Sequence, residues 1–181
     1  GSRGARLIEP YQDDPHNKGL FLNDSAYFLE EAKLLEKHGF QMNTHCIGDA
    51  ANELMLTIYG EVLKTTNDKR WRIEHAQIVN PIHLALFKKY TIIPSVQPTH
   101  ATSDMYWLEE RLGEERMKTA YSYKDLLQQN GIIALGTDFP IEDIDPLKTF
   151  FAATIRKDEK DFPKDGFQTE GISADDGYNY W

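Results

Sequence analysis

Cysteine is nearly absent from this sequence. Cys46 is the only one in 181 residues, so no disulfide can form within the chain. A lone thiol fits a reducing compartment, and a cytoplasmic location is expected. Basic residues are also scarce. Lys and Arg number 20 against 29 Asp and Glu, for a net charge of -9, and no stretch gathers a dense basic patch. That excludes a protein built to grip a nucleic-acid backbone. No apolar run reaches the roughly 18 residues of a membrane span. The opening GSRGARLIEP has no apolar stretch of the signal-peptide kind. Neither GxxxxGK nor GxGxxG occurs, so nothing marks a phosphate-binding loop, and HExxH and paired cysteines are missing too.

What is present is an alternation of helix and strand patterns. Residues 1–22 are a loop-rich lead-in. DSAYFLEEAKLLEKHG is expected as a helix with a cap at Asn23 or Asp24, and QMNTHCI as a strand. ANELMLTIYGEVLKTT is a second helix, RWRIEHAQI a strand and PIHLALFKKY a short helix opened by Pro81. TIIPSVQP is expected as a strand broken by Pro94 and Pro98. A polar excursion, helical around MYWLEERLG, covers 98–119. YSYKDLLQQNG is a helix stopped by Gly131, IIALGTD the last strand and LKTFFAATIR the last helix. Residues 157–181 form an irregular tail of a single domain spanning 1–181. Short apolar strands between helices indicate an α/β fold with a parallel sheet. The pattern permits an open doubly wound sheet or part of a barrel, and in both the ligands gather at the carboxyl ends of the strands.

Three of these strands end in a side chain able to bind a metal: His45, His75 and Asp138. One histidine at a strand end is usually only a partly buried polar group. Three such ends in order weaken that reading, because imidazole and carboxylate together suit zinc, iron, cobalt or nickel. Cys46 should point opposite to His45, into the core. Asp49 reads as part of a turn and helix cap, or as an orienting partner of His45. Gln97, His100 and Asp104 either line a pocket or hold a long loop.

THCIGDAA, RIEHAQIV, PSVQPTHATSD and ALGTDFPIEDIDPL together resemble the metal-dependent amidohydrolase superfamily. The likeness is to its family 3 branch, which includes N-substituted formamide deformylase. The lead-in GSRGARLIEPYQDDPHNKG is similar to a stretch of that branch, and the resemblance covers residues 1–156. It implies a (β/α)8 barrel, of which this chain would hold approximately strands five to eight. It implies metal ligation by His45 and His75 at the ends of strands five and six. Asp138, at the end of strand eight, would bind metal or the attacking water and act as general base, then acid. The implied cofactor is a divalent metal, with zinc the first expectation, and the implied substrate a small amide-like molecule cleaved at a carbon–nitrogen bond.

This chain departs from the family pattern. It has no HxH pair, and it begins where the family's strand-four lysine would just have passed. It is therefore expected to be a piece of a longer enzyme, with weak metal binding and negligible turnover alone. Its open sheet edges predict homo-oligomers, with Val96, Ile133 and Leu135 as positions that need cover. A non-catalytic scaffold derived from the barrel is the alternative, and an open Rossmann-like enzyme a third.

Overall fold

Asp24 sets where the first helix begins: its Oδ1 accepts the Tyr27 N–H at 2.8 Å, and α1 runs Ser25–Lys37. Gly39, at φ +74°, lets the chain turn away. β1 (Asn43–Cys46) leads into α2 (Asp49–Leu63), and β2 (Arg72–His75) into a 3-10 turn at Pro81–His83 and α3 (Leu84–Tyr90). β3 (Ile93–Val96) is followed by three short helices, α4 (Pro98–Asp104), α5 (Leu108–Leu112) and α6 (Glu114–Met117). Then come α7 (Tyr123–Asn130), β4 (Ala134–Leu135) and α8 (Pro146–Ile155), the last capped by the Asp145 carboxylate on Leu147 N–H. These coordinates are a computed structural model describing residues 3–167 and 171–173.

The four strands form one parallel sheet in the order β1-β2-β3-β4, so spatial order equals chain order. A doubly wound fold reverses direction at a switch point, and this sheet does not. The arrangement is an α/β fold consistent with part of a (β/α)8 barrel. α1 packs on α2, α2 on α3 and α3 on α7, while α8 lies against α4. The sheet and its helices share a core that includes Leu56, Ile73, Val96 and the ring pair Tyr59–Trp71, whose centroids are 4.9 Å apart. Trp71 Nε1 donates to Phe40 O at 3.1 Å, so its one polar atom is satisfied inside.

Two strand expectations need correction. Pro94 does not break β3 but sits within it, paired with Ile73. Ile93 N donates to Trp71 O on the β2 side, and Val96 O accepts from Gly136 N on the β4 side. By alternation Pro94 faces β4, whose pairing begins only at Ser95, so its missing N–H forfeits no ladder bond. β4 is also far shorter than IIALGTD: only Ala134 and Leu135 pair with β3. Of the sheet positions expected to need cover, Val96 and Ile133 are buried and Leu135 is partly so.

The lead-in is not a loose loop. Leu7 N–H pairs with Lys18 O and Tyr11 N–H with Asn17 O, and both side chains are buried. Gly19 and Gly48 permit this packing: a Cβ on Gly19 would overlap the Ala5 carbonyl, and one on Gly48 the Arg6 carbonyl. Asp13 then ties Arg3 to Arg111 of α5, and the Arg3 guanidinium, aided by Arg111, holds its carboxyl down at about 2. At the other end, residues 157–167 carry no helix or strand, and Phe167 and Ile172 are buried against the core. The parts of the expected tail at 168–170 and 174–181 lie outside the described residues.

Candidate metal centre

Alternation along paired strands would separate the two histidines. His45 pairs with Glu74, and His75 with Cys46, whose side chain is buried in the core. The backbone overrides this. His75 (φ +76°) and Ala76 (φ +43°) are left-handed, a conformation that costs a non-glycine residue on the order of 1 kcal/mol or more. The turn ends β2 and leaves the His75 ring edge-on to His45, centroids 4.3 Å apart. It stacks on His100 at 5.9 Å and 13°. His100 stands on the first turn of α4, which Pro98 opens directly after β3. Asp138, again left-handed at φ +56°, follows β4 and brings Oδ2 to 3.8 Å from His100 Nε2.

One ligand atom each from His75, His100 and Asp138 lies within 4.8 Å of the others. His75 Nδ1 and His100 Nε2 are buried and have no hydrogen-bond partner among the described residues. A buried polar atom left so costs roughly 1–3 kcal/mol. Two imidazoles with orphaned nitrogens, clustered with a carboxylate, make a donor set suited to a divalent cation. The protonation of His75 and of its neighbour His45 agrees. Burial pushes the His75 pKa down, aided by His45 and His100 and opposed by Asp138 and Gln97. Burial also lowers that of His45, against the pull of Asp138 and Glu74. Neutral imidazoles keep a lone pair for a metal.

These residues open onto a cavity of about 300 Å3 whose walls also include Tyr11, Gln77, Asp104, Trp107 and Arg111. Of the residues expected to support the site, Gln97 is buried beside His75, and its backbone carbonyl accepts the Tyr123 hydroxyl. His100 joins the cluster itself. Asp104 lines the cavity, with Oδ2 held by Gln77 and Tyr121. Asp49 does not orient His45. Gly48 occupies the cap position of α2, and the Asp49 carboxylate accepts the Ile8 N–H at 2.9 Å, anchoring the lead-in. Cys46 is buried, and burial raises its thiol pKa far above the usual value, which removes it from any nucleophilic role. Sequence reasoning missed Gln77, Tyr121 and Arg111. Only Gln77, two residues beyond His75, carried a positional hint.

The sequence profile of the amidohydrolase family matches residues 1–172. Protein LONG AFTER FAR-RED 3 of Arabidopsis thaliana is 38% identical over 159 residues, which are 86% of this chain and 27% of that protein. YtcJ, a proposed amidohydrolase of Bacillus subtilis, is 35% identical over 157 residues, 87% of this chain and 30% of its own length. Among solved structures, an uncharacterized metal-dependent hydrolase from Pyrococcus horikoshii superposes with a TM-score of 0.78 at 34% identity, over 86% of this chain and 32% of that one. Its counterpart from Pyrococcus furiosus gives 0.77 at 34% identity, over 85% and 32%. The chain thus spans less than a third of each of these relatives.

Proposed function

The chain belongs to the amidohydrolase family, and from that premise we propose that it is the part of a metal-dependent hydrolase carrying its metal-binding rim. The reaction is cleavage of a carbon–nitrogen bond in a small amide-like substrate. The observation that carries this reading is the convergence of His75, His100 and Asp138, with two buried nitrogens lacking partners. The sequential parallel sheet supports a segment of a (β/α)8 barrel, strands five to eight, within one domain spanning 1–181.

In this reading His75, His100 and Asp138 hold the cation, and His45 supplies a further imidazole beside His75. Two imidazole nitrogens and one carboxylate would suit a borderline divalent cation, of which zinc is the first expectation. When bound, the metal supplies Lewis acidity, making water a stronger acid and polarising a carbonyl. Asp138 accepts the proton of the attacking water on a carboxylate oxygen and passes one to the departing nitrogen. His75 and His100, packed face to face, hold their ring planes for ligation. Gln97, buried against His75, keeps that ring in place.

The test is hydrolysis of N-formyl and N-acyl amides by the full-length protein with zinc restored. Turnover should require metal and fall at least a hundredfold in Asp138→Asn. Full turnover in that variant, or turnover indifferent to chelation, would remove the assignment. The scaffold alternative requires no metal binding at all.

Self-association belongs to the same proposal. Apolar side chains are exposed near both sheet edges, Phe21 and Phe40 toward β1, and Phe139, Ile141 and Leu147 beyond β4. Sedimentation of the 181-residue chain at micromolar concentration should show species larger than a monomer. A single monomeric boundary would count against it.

A further inference from the structure

The two segments that supply His75 and His100 form a second pair one step further on. Two residues past His75, Gln77 Nε2 donates to Asp104 Oδ2 at 3.1 Å. Asp104 lies four residues past His100 on α4, so the two share a helical face, and both line the cavity. Tyr121 completes a triangle: its hydroxyl donates to the same Asp104 oxygen and also meets Gln77 Nε2. Gln77 and Tyr121 are buried and joined through the backbone, Tyr121 N–H to Gln77 O at 2.6 Å. Burial and the Asp104 carboxylate raise the Tyr121 pKa well above its usual value, so the phenol remains a donor.

This fixes one oxygen of Asp104 and leaves the other. Oδ1 accepts no hydrogen bond from any described residue, although Asp104 is half-buried at the cavity wall. The carboxylate does not serve its helix, since negative charge at a C-terminal end opposes the helix dipole. A merely structural tie would need the Oδ2 bonds alone. Arg111, the one cation on this cavity wall, is engaged through NH1 by Asp13.

We propose that Asp104 Oδ1 is a specificity-determining acceptor for a protonated amine on the substrate, about one helical turn along α4 from His100. The substrate class is then an N-acyl amine carrying a second, cationic nitrogen. This rests on the amide-hydrolase reading and specifies its leaving-amine side. A charge-assisted hydrogen bond of this kind is worth about tenfold or more in affinity.

The probes are N-formyl-diaminopropane, which is cationic, and its neutral isostere N-formylbutylamine, titrated calorimetrically into metal-free protein. The cationic amide should bind about tenfold more tightly. Asp104→Asn should erase that preference while leaving the affinity for the neutral amide unchanged, and Tyr121→Phe should reduce it. Equal affinities in the unaltered protein, failure of the cationic amide to bind, or a preference surviving in Asp104→Asn would each overturn the proposal. Equal loss for both probes in Asp104→Asn would show a structural role and overturn it as well. If the preference holds but zinc-loaded full-length protein hydrolyses neither amide, the hydrolase reading fails and the recognition site stands.

Discussion

Replacing His75 by alanine is expected to weaken divalent-cation binding by roughly a hundredfold, at least the upper end of the roughly 10–100-fold loss that follows removal of even an outer partner of a metal ligand. His75 is the hinge of the cluster. Its ring touches both His45 and His100, and its strained backbone is what aims it there. His100→Ala should show a comparable loss. Asp104→Ala, which removes a cavity carboxylate outside the cluster, should stay within about threefold of the unaltered chain. Zinc titration against a competing chelator reads all three. Retention of full affinity in His75→Ala would remove the centre as assigned. The pH dependence has a definite sign. The His75 pKa lies below the ordinary 6.5, so binding should persist at that pH and fade as pH falls through the depressed value. The same linkage acts on folding. The stabilisation from this neutral, buried imidazole is complete above 6.5 and is lost on acidification, because the unfolded chain takes up the proton first.

Gly48→Ala should destabilise the chain by about 2–4 kcal/mol, lowering its melting temperature by roughly 10 °C. The new methyl would overlap the Arg6 backbone carbonyl, and no rotamer change relieves a clash between backbone and Cβ. The lead-in would have to lift, breaking the Ile8–Asp49 bond and uncovering Leu7 and Tyr11. Each of those side chains is worth about 2 kcal/mol or more when buried. Tyr11 and Ala5 also line the cavity, so the same change should open its wall. Thermal melting with limited proteolysis over residues 3–20 checks this. A variant that melts within about 2 °C of the parent and stays resistant to protease would show that the close approach is not needed.

The alternation of helices and strands was legible because each element carries its own signal. Asp24, Pro81, Gly131 and Asp145 mark helix ends by local chemistry alone, and the apolar runs before His45, His75 and Asp138 read as strands. What stayed hidden was set by distant parts of the chain. Nothing in RIEHAQ announces a left-handed turn at His75 and Ala76, and simple alternation would have parted the two rings. Asp49 has the chemistry to orient a histidine, but a lead-in 41 residues upstream captures its carboxylate. Pro94 is tolerated only because β4 starts late. Tyr121 reaches Asp104 through a backbone clasp to Gln77, a pairing no local pattern encodes.

The match between strand order and chain order also has a temporal side. As synthesis proceeds from β1 to β4, each strand after β1 finds a sheet neighbour already made. The lead-in is the exception. It precedes β1 in the chain, yet Arg111 is 98 residues from Asp13, and Arg116 is 107 from its partner Glu9. Until α5 and α6 exist, those two clasps cannot close. The lead-in, though it comes before β1, therefore gains these two ties only after β1, β2 and β3 have been made, and the cavity receives that part of its wall late.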